Sequence, residues 1–136
     1  MSGTEFTWPI RVYYEDTDAG GVVYYANYLK FFERARTEFL RSMGFEQDEL
    51  RALHGIIFAV RSIQADYRRP ARFNDLLTVS CTLTGYKRAS LEFFQMVQRQ
   101  TETLCEGRVR IACLNAESFR PSSMPQSLWK TLQSYE

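Results

Sequence analysis

The sequence predicts an α+β domain in which one antiparallel sheet curls around a single long apolar helix. Three observations carry this expectation. Apolar and polar residues alternate through most of the chain, as in half-buried strands, but over residues 28–43 the apolar ones recur at spacings of three and four. The later alternating runs are joined by turns of only a few residues, so neighbouring strands must be mostly antiparallel. The helical run is apolar well beyond a narrow stripe, which a flat sheet cannot cover and a curled one can. With 136 residues and no repeat, linker or low-complexity tract, a single domain over residues 1–136 is expected.

The elements follow in order. Over residues 6–15, Phe6, Trp8, Ile10, Val12 and Tyr14 share one strand face, with Thr7, Arg11, Tyr13 and Glu15 on the other. Pro9 lacks a donor, which argues for an edge strand or for one that begins beyond it. Gly20-Gly21 breaks the alternation. Tyr28, Phe32, Ala35, Phe39 and Met43 then line a helical stripe, widened by Leu29, Phe31 and Leu40, with Asn27 as N-cap and Gly44 past the C-terminal end. Glu33 on this helix is expected to pair with Arg36 or Arg34. Residues 46–53 read as a short helical turn ending near His54-Gly55.

Strands follow to the end of the regular region. Ile57, Ala59, Arg61, Ile63, Ala65 and Tyr67 alternate with Phe58, Val60, Ser62, Gln64 and Asp66, until Pro70 and Asn74-Asp75 mark a turn. Leu77, Val79, Cys81 and Leu83 form one face of the next strand, and residues 85–88 turn the chain. Residues 91–99 make another strand and residues 100–103 another turn. Cys105, Gly107, Val109, Ile111 and Cys113 define the last strand face. Pro121 and Pro125 precede a closing helix at 127–133.

Composition narrows the functional classes. The net charge of +1 gives no global field for nucleic acid or a membrane surface, and the apolar runs are too short to span a bilayer. Three cysteines without a CxxC, and no signal peptide at the start, read as reduced core residues of a cytoplasmic protein. One histidine excludes multi-histidine metal sites, and there is no GxSxG elbow, so neither a metal centre nor a serine triad is expected. Ten Phe, eight Tyr and two Trp supply aromatic surface for sheet faces, interfaces or an apolar cleft.

The most informative stretch is Asp16-Thr17-Asp18-Ala19-Gly20-Gly21 and the residues that follow to Tyr28. It joins the first strand to the helix. On local chemistry it is either a turn whose Asp and Gly residues serve backbone geometry or a small reaction centre, with a carboxylate facing free backbone N–H groups. Asp16 continues the strand register of Tyr14 and is set further from the helix start than Asp18.

The run Tyr14-Glu15-Asp16-Thr17-Asp18-Ala19-Gly20-Gly21-Val22-Val23-Tyr24 resembles hotdog-fold acyl-CoA thioesterases of the 4-hydroxybenzoyl-CoA thioesterase family. So do Ala26-Asn27-Tyr28 and Phe32-Glu33-Arg34-Ala35-Arg36 after it. The branch most similar is the bacterial one associated with the Tol-Pal envelope system, and the likeness extends to Tyr67, Pro70-Ala71 and Asp75. The resemblance implies a sheet wrapped around a central helix, subunits paired edge to edge into dimers or tetramers, and active sites at the subunit interface. It places the family's carboxylate on Asp18. Seven residues later the Tol-Pal branch usually has histidine; this chain has Tyr25, as the 4-hydroxybenzoyl-CoA branch does.

Thioester hydrolysis needs a nucleophile and stabilisation of the oxyanion. The resemblance therefore implies Asp18 as base or nucleophile and the backbone N–H of Tyr25, at the positive end of the helix, as oxyanion donor. No cofactor is implied, because coenzyme A is part of the substrate. Its phosphates call for cations at the cleft mouth, for which Arg69, Lys87 and Arg88 are the candidates, with Ser90 as a hydrogen-bonding neighbour. Short, medium or aromatic acyl thioesters are the expected substrates. Two other readings compete: a module that docks an acyl carrier protein or envelope-biosynthesis enzymes, and a dehydratase, for which His54 lies in the wrong place.

Overall fold

The computed structural model describes residues 5–135. Five strands, β1 (Glu5–Arg11), β2 (Ile56–Tyr67), β3 (Leu76–Lys87), β4 (Ser90–Arg99) and β5 (Glu102–Asn115), form one sheet in the order β1-β3-β4-β5-β2. Every pairing is antiparallel. The long helix α1 (Asn27–Ser42) packs mainly over β1, β3 and β4. Two short helices, α2 (Gln47–His54) and α3 (Gln126–Gln133), complete the fold. β1 runs through Pro9 as an edge strand, the first of the two alternatives that residue leaves, and β2 is the other edge.

The helix forms where the apolar spacing changes. Tyr28, Phe31, Phe32, Ala35, Phe39 and Leu40 are all buried, while Leu29, Lys30, Glu33 and Arg34 stay exposed. At its end the Gly44 N–H bonds the Arg41 carbonyl and the Phe45 N–H bonds the Leu40 carbonyl, both at 2.9 Å. This Schellman closure needs the left-handed backbone that Gly44 adopts at φ 92°. On the sheet side, a methyl group on Gly107 would meet the Phe32 ring at 2.8 Å, so the bare glycine lets α1 approach β5.

Four expectations are corrected. β1 ends at Arg11, because residues 14–16 form a 3₁₀ turn and Tyr14, exposed, stacks on Phe73 at 4.0 Å instead of entering the core. Asn27 is the first helical residue, with Ala26 at the cap position; its side chain is used elsewhere. β3 continues to Lys87 through a bulge between Leu83 and Gly85, so the hairpin turn is only Arg88-Ala89. In β2 a bulge between Val60 and Ser62 shifts the register, and an extra residue moves side chains across the sheet. Phe58 and Val60 therefore face inward with Ile63, Ala65 and Tyr67, opposite Cys113, Ile111, Val109, Gly107 and Cys105.

Cys81, Cys105 and Cys113 are buried and unpaired, the state their spacing implies. Burial pushes all three thiols up, Cys105 to about 12 and Cys113 to about 11. Their ordinary value is 9.0, so above that pH the unfolded thiols release protons that the folded ones retain, and stability falls as pH rises toward 11–12. At pH 8 a thiol-specific reagent should label none of the three in the native protein and all three in denaturant; rapid native labelling would contradict this burial.

Candidate active site

The connection from β1 to α1 is a tight hairpin. Thr17 bridges Val23, the Asp18 N–H donates to the Val22 carbonyl at 2.9 Å, and the Gly21 N–H returns to the Asp18 carbonyl at 3.0 Å. The hairpin is fastened to the chain after β2: the Val23 N–H bonds the Ala71 carbonyl at 2.8 Å, and Val22 bridges Arg72. The Tyr28 hydroxyl accepts the Ala71 N–H at 2.9 Å. Asp75 holds the same segment by accepting from the Arg72 N–H at 2.9 Å and from Arg99 at 2.8 Å. Tyr28, Ala71 and Asp75, noted in the sequence as parts of one pattern, are thus the fastening of this loop.

The two aspartates have opposite environments. Asp16 is 4% exposed; its Oδ2 accepts the Tyr13 N–H at 2.9 Å and its Oδ1 accepts Asn27 Nδ2 at 2.7 Å. Its carbonyl also accepts the Tyr24 N–H at 3.0 Å. Both carboxylate oxygens are occupied in joining the loop to the first residue of α1. Asp18 is exposed, and only its Oδ1 is engaged, by the Gly20 N–H at 2.8 Å. Among the described residues its Oδ2 meets no donor. Asp16, which the strand register sets further from the helix start, reaches it directly, through an Asn27 that the helix signal assigns to capping.

Tyr25 lies between the anchored Tyr24 and the first turn of α1. The Asn27, Tyr28 and Leu29 N–H groups close on the carbonyls of Tyr24, Tyr25 and Ala26. The N–H groups of Tyr25 and Ala26 find no acceptor among the described residues. They are free donors at the positive end of a helix. The Tyr25 ring is exposed, 4.7 Å from the Tyr24 ring and 6.0 Å from Tyr67 of β2, and Tyr67 is 5.5 Å from Tyr28. Burial raises the phenols of Tyr28 and Tyr67, and the hydroxyl of Tyr25 raises that of Tyr24. At neutral pH these are uncharged aromatic walls around the free donors.

The four proposed phosphate contacts do not form one cluster within the chain. Arg69 lies near the Asp18 loop and pairs with Glu102 at 3.1 Å. Lys87 and Ser90 face each other across the β3–β4 turn, at the other end of β4 and about 30 Å from Arg99 by strand rise. Arg88 turns away, its guanidinium 5.0 Å from the centre of the Trp129 ring. Lys87 and Ser90 instead line a cavity of about 390 Å³ with Arg61, Arg110 and Glu92, the last paired with Arg110 at 3.1 Å; the two arginines come from β2 and β5, which sequence reasoning did not bring together. The predicted helix-face ion pair is also absent among the described residues: Glu33 accepts from the Thr37 hydroxyl at 2.7 Å, Arg34 lies over Phe31, and Arg36 is buried. His54 is exposed in the last turn of α2. Among the described residues no three His, Cys, Asp or Glu side chains gather as metal ligands.

The connection from β1 to α1 thus carries an exposed carboxylate with one unoccupied oxygen and free backbone N–H groups at the start of a sheet-wrapped helix. The chain belongs to the thioesterase-like superfamily, whose family model matches residues 12–132. Its relatives include the acyl-CoA thioester hydrolase YbgC of Escherichia coli O6:H1, 43% identical over 94% of this chain and 96% of that protein. The acyl-CoA thioesterase YbgC of Haemophilus influenzae is also 43% identical, over 94% of each chain. A solved structure described as a probable thioesterase from Bartonella henselae superposes with a TM-score of 0.86 at 36% identity, over 90% of this chain and all of that one.

Proposed function

We propose that this enzyme hydrolyses acyl-CoA thioesters with Asp18 as base or nucleophile and the Tyr25 N–H as oxyanion donor. Acyl-CoA thioester hydrolysis is the activity supported by family membership and by 43% identity to acyl-CoA thioester hydrolases. The observation that carries the assignment of roles is the contrast between the two aspartates. Asp16 has both oxygens occupied and is buried, whereas Asp18 presents an unoccupied oxygen on the same loop as the free Tyr25 N–H.

The reaction then follows from these groups. The thioester carbonyl oxygen accepts the Tyr25 N–H, whose partial positive charge is strengthened by the helix end. Asp18 either attacks the acyl carbon, forming an anhydride that water opens, or takes a proton from the attacking water. Either route expels coenzyme A as the thiolate. Asp16 acts through its neighbours as a positioning residue, holding the loop and Asn27 on either side of Tyr25.

The free outer edge of β2 supports a homodimer. Twelve residues long and partly apolar, it is a pairing template, and two copies joined antiparallel along it would centre near Arg61 and Ser62. Tyr67 of one subunit would then lie against Ile56 of the partner subunit. The register Ala59–Ala112–Ser90 brings Lys87 and Ser90 of the partner subunit toward the first subunit's loop. This reconciles the two separated halves of the predicted site: the loop supplies the chemistry and the partner's cation-lined cavity receives the phosphates of coenzyme A.

Thiol release from a panel of acyl-CoAs is the test, run on wild type, Tyr25→Phe and Tyr25→Pro. Tyr25→Phe retains the backbone donor and should stay within about tenfold of wild type. Tyr25→Pro deletes that donor and should lose about 100- to 1,000-fold in kcat. No thiol release from any acyl-CoA by wild type would overturn the assignment.

A further inference from the structure

A smaller cavity of about 110 Å³ opens between α1 and the inward face of β2, and the hydrolytic step leaves it unused. Its walls include Phe58, Val60, Leu91 and Phe93, and Arg36 reaches into it. Arg36 is 8% exposed and forms no ion pair among the described residues. Its one hydrogen bond there runs from a terminal nitrogen to Gln95 Oε1 at 2.9 Å. No fully buried side-chain nitrogen or oxygen among the described residues lacks a partner, and Arg36 is one of the cavity's lining residues. Burial pulls this guanidinium below its ordinary pKa, and the nearby Cys81 thiol and Glu33 carboxylate offset this only in part.

A seam leads from the Asp18 loop to this cavity. Leu29 and Glu33 continue the four-residue spacing from Tyr25, which precedes the helix, along the exposed side of α1, while Tyr67, Ile63 and Val60 lie on the inward face of β2. The Tyr25–Tyr67 contact marks one end, and Glu33 and Val60 line the cavity at the other. Arg36 lies about 14 Å along the helix axis from Asn27, the first helical residue beyond Tyr25, and helical side chains lean back toward the N-terminus, leaving a span of about 10 Å. That is the reach of an extended medium-length acyl chain. Apolar walls suit its methylenes, and a nearly buried guanidinium with no ion pair among the described residues suits an anion, although the exposed Glu33 carboxylate lines the same cavity.

We propose that the seam receives a medium-length acyl group ending in a carboxylate, which pairs with the Arg36 guanidinium. The proposal rests on the thioesterase reading and adds the class of acyl group. It is tested with suberoyl-CoA against octanoyl-CoA, a pair of matched length that differs in the terminal carboxylate. Wild type should favour suberoyl-CoA in kcat/KM by at least about tenfold. Arg36→Gln should lower that ratio by at least about tenfold, and Arg36→Lys should restore part of it. A wild-type preference for octanoyl-CoA, or a ratio unmoved in Arg36→Gln, overturns the proposal. If neither thioester is hydrolysed, the thioesterase reading fails, and calorimetric titration of wild type with free suberate and free octanoate decides the site separately. Selective suberate binding lost in Arg36→Gln supports it; equal binding of both, or none, overturns it.

Discussion

Asp18→Asn should abolish most turnover while leaving the fold untouched. The carboxylate makes one contact among the described residues, accepting the Gly20 N–H through Oδ1 at 2.8 Å. An asparagine amide oxygen accepts that bond equally well, so the hairpin keeps its shape. What disappears is the anionic oxygen to which the proposed mechanism gives the attack on the thioester or the deprotonation of water. A fall of about 100- to 10,000-fold in kcat is expected, with the denaturant midpoint unchanged. Asp16→Asn supplies the contrast, because it places an NH₂ where the carboxylate accepts two donors and so must lose stability as well as activity. Full activity in Asp18→Asn would transfer the chemistry to another group, while a matched loss of stability and activity would make Asp18 a loop residue.

The fold was legible because its elements depend on short-range patterning. The helix announced itself through Tyr28, Phe32, Ala35 and Phe39, and the five strands through alternation broken by turn residues. What was not legible depends on tertiary pairing. Alternation alone put Phe58 and Val60 on the opposite face from Ile63 and Tyr67, because nothing local signals the bulge that moves them inward. The same limit hid Arg36, which helical spacing offered to Glu33 until the sheet buried it against Gln95. Asp18 and Tyr25 were visible as parts of one long motif. Asp16 was visible in the same motif but misread, since its value lies in a bond to Asn27, eleven residues away.

Gln95→Leu should be among the most destabilising single substitutions in the chain. Gln95 is fully buried; its oxygen accepts from Arg36, and its amide nitrogen donates to the carbonyls of Phe32 at 3.0 Å and Ser80 at 3.3 Å. It therefore joins helix, β3 and β4 at one point and is the only hydrogen-bond acceptor of the Arg36 guanidinium among the described residues. Leucine fills similar space but leaves a nearly buried cation without that acceptor, a loss of about 1.5–3 kcal/mol. The double variant Arg36→Met with Gln95→Leu removes the cation together with its partner and should be more stable than Gln95→Leu alone. Urea unfolding of the four proteins measures the cycle. Simple additivity would mean that the cation is satisfied through the cavity without Gln95. A recovery in the double variant would instead identify the charge itself, held in the core by one amide oxygen, as the destabilising element that a bound anion would relieve.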